Sequence, residues 1–209
     1  MSLAYDEVPA AVSKPDLATD SAAPWARLET APEGAARLRL GGRFLPGWAG
    51  GLALGLSRLH VTILRGCACC MSRGRWTAFF DIRALTGAPG LSSIDYPALA
   101  SQPQAQTAPV PIRLEKFALG PVIAGALQLG VRGEDCVGFL GGLLDRLARL
   151  SLFPEELHVE THASVAEDRF RIRTLTGGAP PEGLRCALES LLTSCLRPPA
   201  AHHSPFFLC

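Results

Sequence analysis

Twice along the chain the apolar residues change rhythm, from alternation to a recurrence every three to four positions. "ARLRL" (36–40) and "LQLGV" (127–131) alternate or run continuously apolar, as half-buried or central strands do, and glycine turns follow both. The next segments place Trp48, Leu52, Leu56 and Leu59 in one case, and Phe139, Leu140, Leu143, Leu144, Leu147 and Leu150 in the other, on a single helical stripe. Such a stripe must cover a sheet. "LHVETHA" (157–163) and "DRFRIRT" (168–174) then alternate again, with Leu157, Val159 and Thr161 on one face and Phe170 and Ile172 facing inward, while Arg169, Arg171 and Arg173 point outward. A last amphipathic helix is predicted over "PPEGLRCALESLLTSC" (180–195), its stripe formed by Leu184, Ala187, Leu188, Leu191, Leu192 and Cys195.

The two rhythm changes are copies of one another. An offset of 91 residues superposes "PGWAGGLALGLSRL" (46–59) on "VGFLGGLLDRLARL" (137–150) with seven of fourteen pairs identical, among them Gly47 with Gly138 and Leu56 with Leu147. The same offset brings "AARLRLGG" (35–42) onto "ALQLGVRG" (126–133), and one gap later Phe80 and Ile82 meet Phe170 and Ile172. Each copy reads strand, helix, strand, strand, helix. With a closing strand this is the split βαβ arrangement, an antiparallel sheet with both helices on one face. The expected fold class is therefore α+β, two ferredoxin-like βαββαβ units. "PIRLEKF" (111–117) is the expected last strand of the first unit and "SPFFLC" (204–209) the weaker one of the second. The expected organisation is a flexible leader (1–34), a first unit (35–118) with an irregular Pro- and Gly-rich insertion (86–111) that can hold a short helix near 94–100, and a second unit (122–209).

Composition narrows the function classes. Twenty basic and 19 acidic residues give a net charge of +1 without long runs of one sign, which argues against nucleic acid or an anionic membrane as partner. The longest uncharged apolar stretch, "LGPVIAGALQLGV" (119–131), is too short to span a bilayer, and the first residues do not read as a secretory signal, so a cytoplasmic location is expected. Seven cysteines, an odd number in a chain of this length, fit reduced thiols. Nucleophile-elbow, Walker A, dinucleotide and zinc-protease motifs are absent, so a non-catalytic protein without a cofactor is expected.

"LQLGVRGEDCVGFLGGLLDRLARL" (127–150), with its strand, acidic residue, glycine turn and helix, resembles the opening of an ACT domain, with Asp135 and Gly138 at the matching positions. The first copy keeps Pro46 and Gly47 but carries Arg43, Phe44 and Leu45 where an acidic residue is usual. The resemblance extends over about residues 35–196 and implies a tandem regulatory module that binds a small effector, commonly an amino acid, at the turn between first strand and first helix and at an interface between units. It implies as ligand-binding candidates Phe44, Leu45, Gly47 and Trp48 in the first copy, and Asp135, Val137, Gly138 and Phe139 in the second. A helix N-terminus there offers N–H groups to a carboxylate, and Asp135 suits an ammonium group. Lacking an output domain of its own in this stretch, such a pair would act through a protein partner, packed side by side or as a homodimer.

Two alternatives compete: a ligand-free structural or interaction module, and a metal-binding protein using the outer faces of the second strands. On a strand His158, Glu160 and His162 share one face, a ligand set suited to zinc, and the offset of 91 places Cys67, Cys69 and Met71 opposite them in the first copy. In "RGCACCM" (65–71) Cys70 falls with Gly66 and Ala68 on the inner face, so the three cysteines do not form one site.

Overall fold

A computed structural model describes residues 23–71, 74–102 and 110–197. The fold is α+β, one eight-stranded antiparallel sheet with four α-helices among the described residues. In chain order the elements are β1 (Trp25–Thr30), β2 (Ala36–Arg43), α1 (Trp48–Arg58), β3 (Val61–Cys70), β4 (Arg75–Ala84), α2 (Tyr96–Ser101), β5 (Leu114–Ile123), β6 (Ala126–Glu134), α3 (Phe139–Arg149), β7 (Leu152–His162), β8 (Val165–Thr174) and α4 (Glu182–Ser194). The strand order is β1-β2-β4-β3-β7-β8-β6-β5, the same on either side of the central β3–β7 pair when read outward.

Alternation fixes which face is covered. On β2, Leu38 and Leu40 are fully buried, and their partners on β4 are Phe80 and Ala78; on β6, Leu127 and Leu129 face Ile172 and Phe170 in the same way. These residues join Leu52 and Leu56 of α1, Leu143 and Leu147 of α3, and Leu188 and Leu192 of α4 in one core. Each fully buried leucine or phenylalanine contributes about 1.5–3 kcal/mol relative to exposure, which is why the stripe and the strand faces must meet. The opposite sheet face carries no helix among the described residues, and charged side chains such as Arg37, Arg39, Arg169 and Arg171 lie on it.

Both α1 and α3 begin and end with left-handed residues. Gly47 (φ 87°) and Gly138 (φ 91°) form the N-caps, where a Cβ would be strained, and His60 and Ser151 (both φ 55°) follow the last turns. At the seam, Arg65, Gly66, Cys67, Ala68 and Cys69 pair with Glu160, Val159, His158, Leu157 and Glu156. Cys67 and His158 are 91 residues apart, so the sequence offset maps this ladder onto itself, and an approximate two-fold axis runs through the Cys67–His158 pair. Above it α1 and α3 pack together, closely enough that a Cβ on Gly141 would stand 2.8–2.9 Å from Leu54 atoms, its backbone nitrogen included.

Three sequence expectations change. The two expected sheets are one continuous sheet, because β3 and β7, the exposed edges of the two halves, pair with each other. Residues 25–34 of the expected leader form β1 and a 3-10 turn; Ala26 and Leu28 pack against the core and Trp25, Arg27 and Glu29 face outward. The strand expected to close the first unit is β5, and it pairs with β6 of the second half, turning back through Ala124 and Gly125, both at positive φ. The outer position beside β2 is taken by β1. Within 86–111 a 3-10 turn (Leu91–Ser93) and α2 form, the latter capped by Asp95 accepting from the Ala98 N–H at 3.0 Å. The strand expected at 204–209 lies outside the described residues.

Candidate functional site

A cleft opens where the β6–α3 turn of one half meets α1 and the start of β3 of the other. Asp135, Gly138 and Phe139 form one wall; Ser57 and the bulged segment from Val61 to Leu64 form the other; Thr161 and Asp168 close the base. The cavity volume is about 40 Å³, room for about three waters at the usual 10–15 Å³ each. The lining contains carboxylates but no lysine, arginine or histidine.

Local geometry explains the construction. Gly138 turns the chain into α3 and lies against Ser57, where a Cβ would sit 3.4 Å from its Oγ. The Phe139 N–H donates to the Cys136 carbonyl at 2.9 Å, and the Gly142 N–H returns to the Gly138 carbonyl at 2.8 Å. The first-turn N–H groups between them have no carbonyl within the helix to accept them and, with the helix dipole, favour negative charge at the mouth of the cleft. The Asp135 N–H donates to the Ser164 carbonyl at 2.8 Å, which fixes the turn to the β7–β8 hairpin.

Two carboxyl groups share this space. Asp168 sits on the inner face of β8, between Val131 and Val159 of the neighbouring strands, and is 3% exposed. Burial pushes its carboxyl up to about 8 against a backbone hydrogen bond from Glu160 that lowers it, and the nearby Asp135 charge pushes the same way as burial. Asp135 is itself raised by burial and partly restored by a hydrogen bond from Thr161. The contrast is Asp81, equally buried, which has two arginine partners.

The equivalent place in the other half is closed. Phe44 occupies the position of Asp135, and its ring stacks on Trp48 with centroids 4.7 Å apart; Trp76 meets Trp48 edge-on at 5.3 Å. The strand registers make Trp76 the counterpart of Ala166, and Ala78 that of Asp168. Three aromatic rings thus stand where the second half has Asp135, Phe139 and Ala166. Of the eight ligand-binding candidates, Asp135, Gly138 and Phe139 line the cleft; Val137 is exposed beside it; Phe44 and Trp48 pack in the aromatic cluster; Gly47 caps α1 and Leu45 is 75% exposed. Asp168 escaped the sequence reading, although a lone carboxylate at an inward position of "AEDRFRI" was the signal for it.

On the outer face, Cys67 stands opposite His158 and Cys69 opposite Glu156. Each histidine is paired within its own strand, His158 Nε2 with Glu156 at 3.2 Å and His162 Nε2 with Glu160 at 3.0 Å. Among the described residues no group of three or more His, Cys, Asp or Glu side chains is arranged to hold a metal ion. Burial, with Cys69 and Glu156 nearby, pushes the Cys67 thiol up to about 11, and Cys69 and Cys70 are also raised by burial. No helix among the described residues is long and apolar enough to cross a membrane.

No protein-family description matches the sequence, and no curated protein matches it. Among solved structures, the chain is similar to an aspartate kinase from Synechocystis, with 17% identity and a TM-score of 0.42 over 77% of this chain and 26% of that one. The chain thus spans about a quarter of the length of that protein.

Proposed function

We propose that the chain is a non-catalytic regulatory protein built from two ACT-like, ferredoxin-like halves, and that it binds one small effector, an amino acid, in the seam cleft and acts through a protein partner. The observation that carries this reading is the pairing of an α-helix N-terminus with Asp135 and Asp168 in a single cleft between the halves. The free N–H groups of α3 suit the effector's carboxylate, and Asp135 suits its ammonium group, so the two ends of a zwitterion have complementary partners in one cleft. The strand order supports the two-unit reading: each half keeps the split βαβ order but draws its outer strand, β1 or β5, from before the unit. The small lining residues Ala53, Ser57 and Ala166 favour an effector with a short side chain.

Thermal melting of the full chain with each of the twenty amino acids tests the reading. Binding to the native state raises the midpoint, and at a hundred times Kd the gain is about 2.7 kcal/mol. A small amino acid is expected to raise it in the native chain and not in Asp135→Ala. A screen without any shift, or a shift that Asp135→Ala retains, contradicts the proposal.

A further inference from the structure

The near-neutral charge of the whole chain conceals a segregated surface. On the outer face of β1, β2, β4 and β3 stand Arg27, Arg37, Arg39, Arg43 and Arg65, against two carboxylates among the described residues, Glu29 and Asp81. Five cations less two anions leave a surplus of three. Glu29 is taken by Arg39 at 3.0 Å, and Asp81 by Arg37 at 2.7 Å and Arg65 at 2.8 Å. Arginine faces arginine directly across the ladder at Arg27–Arg39, and like charges so placed weaken a sheet. The other half lacks this character: the counterparts of Arg37, Arg39, Arg43 and Arg65 are Gln128, Gly130, Glu134 and Glu156.

Aromatic rings lie among these cations. The Trp25 indole lies on the strand over Gly41, so near that a Cβ there would stand 2.5 Å from the ring, and the Arg27 guanidinium is 5.7 Å from its centroid. Phe79, half-buried between Arg39 and Cys67 on the same face, has the Arg37 guanidinium 5.1 Å from its centroid. Arginines about 7 Å apart along a strand, with rings between them, combine an electrostatic track with stacking surfaces that accept any base. A broad sheet face does not enter a duplex groove, whereas unpaired bases can splay onto it.

We propose that the outer face of β1, β2 and β4 binds single-stranded nucleic acid, its arginines meeting the phosphates and Trp25 and Phe79 stacking against bases. This surface is on the side of the sheet away from the helices, and the proposal stands independently of the effector cleft. The test is fluorescence anisotropy of labelled twenty-nucleotide dT and rU strands with the full chain, alongside labelled heparin. Binding is expected at 50 mM salt and, if about four phosphates are neutralised, to weaken roughly fiftyfold at 200 mM. Arg39→Glu combined with Arg43→Glu is expected to abolish it, and Arg185→Glu on α4 to leave it unchanged. Phe79→Leu, and separately Trp25→Leu on the edge strand, each verified as folded by circular dichroism, are expected to weaken oligonucleotide binding roughly tenfold while sparing heparin. Lack of binding at 50 mM salt, indifference to the double charge reversal, or equal loss of heparin and oligonucleotide in the aromatic variants overturns the proposal.

Discussion

Cys67 and His158 stand directly opposite each other at the centre of the eight-stranded sheet, on the approximate two-fold axis that relates its halves. The residues nearest the axis have counterparts with altered chemistry: Asp81 lies between Arg37 and Arg65, and the matching Arg171 pairs with Glu155 at 3.0 Å and Glu156 at 3.1 Å. Each half therefore carries a charge cluster beside the seam, one the inverse of the other, with a thiol and an imidazole between them. With its thiol pushed up to about 11, Cys67 is almost wholly protonated at neutral pH and a poor nucleophile. Iodoacetamide at pH 8, followed by peptide mass spectrometry, is expected to label the exposed Cys186 well before Cys67. Preferential labelling of Cys67 would assign the seam a reactive thiol instead.

Gly141 sets the distance between α1 and α3. A methyl group there meets the Leu54 side chain and backbone at 2.8–2.9 Å, and backbone cannot swing aside. Gly141→Ala is expected to cost about 1–3 kcal/mol in urea unfolding despite the higher helix propensity of alanine. A stabilised variant would show that the helices do not pack as described.

Asp168 makes stability depend on pH in an unusual direction. The folded chain keeps its proton up to about 8, whereas the unfolded chain releases it near 3.9. Between those values the native state binds more protons than the unfolded one, so stability falls as pH rises, by up to about 1.4 kcal/mol per unit. Urea unfolding at pH 5, 6, 7 and 8 is expected to show this decline and its removal in Asp168→Asn. Parallel profiles for the two proteins would refute it.

Asp81 has the opposite sign. Hydrogen bonds from Arg37 and then Arg65 hold its carboxyl below the ordinary range despite burial. Its contribution is present above the unfolded value near 3.9 and is lost as pH falls through the lower folded value. Asp81→Asn is expected to destabilise by about 1–3 kcal/mol at pH 7, discounted for the partial exposure of both arginines, and by less at pH 3. Equal losses at the two pH values would remove the ionic account.

Much of the architecture was legible because alternation and helical spacing report which side of an element is buried. The offset of 91 placed Cys67 and His158 at matching positions of the two copies, but their meeting depends on the pairing of β3 with β7, which the repeat alone does not fix. Strand partnership was harder. β5 reads as a strand from its own residues, but either neighbouring half offers an open edge, and only the tight turn through Ala124 and Gly125 selects β6. β1 was hidden by its setting in Ala- and Pro-rich chain, although Ala26 and Leu28 alternate with Trp25, Arg27 and Glu29. In the cleft, Asp135 and Gly138 were visible as turn residues, whereas closure of the matching site depends on Trp76, thirty residues from the turn in sequence and beside it only through the β2–β4 register.

Isothermal titration calorimetry of the full chain against the twenty amino acids, taken singly, tests the central claim most directly. The open cleft beside α3 and the aromatic cluster beside α1 predict one site per chain for a small amino acid, lost in Asp135→Ala and kept in Phe44→Leu. Two equivalent sites, an unaltered isotherm in Asp135→Ala, or no heat with any of the twenty would contradict it.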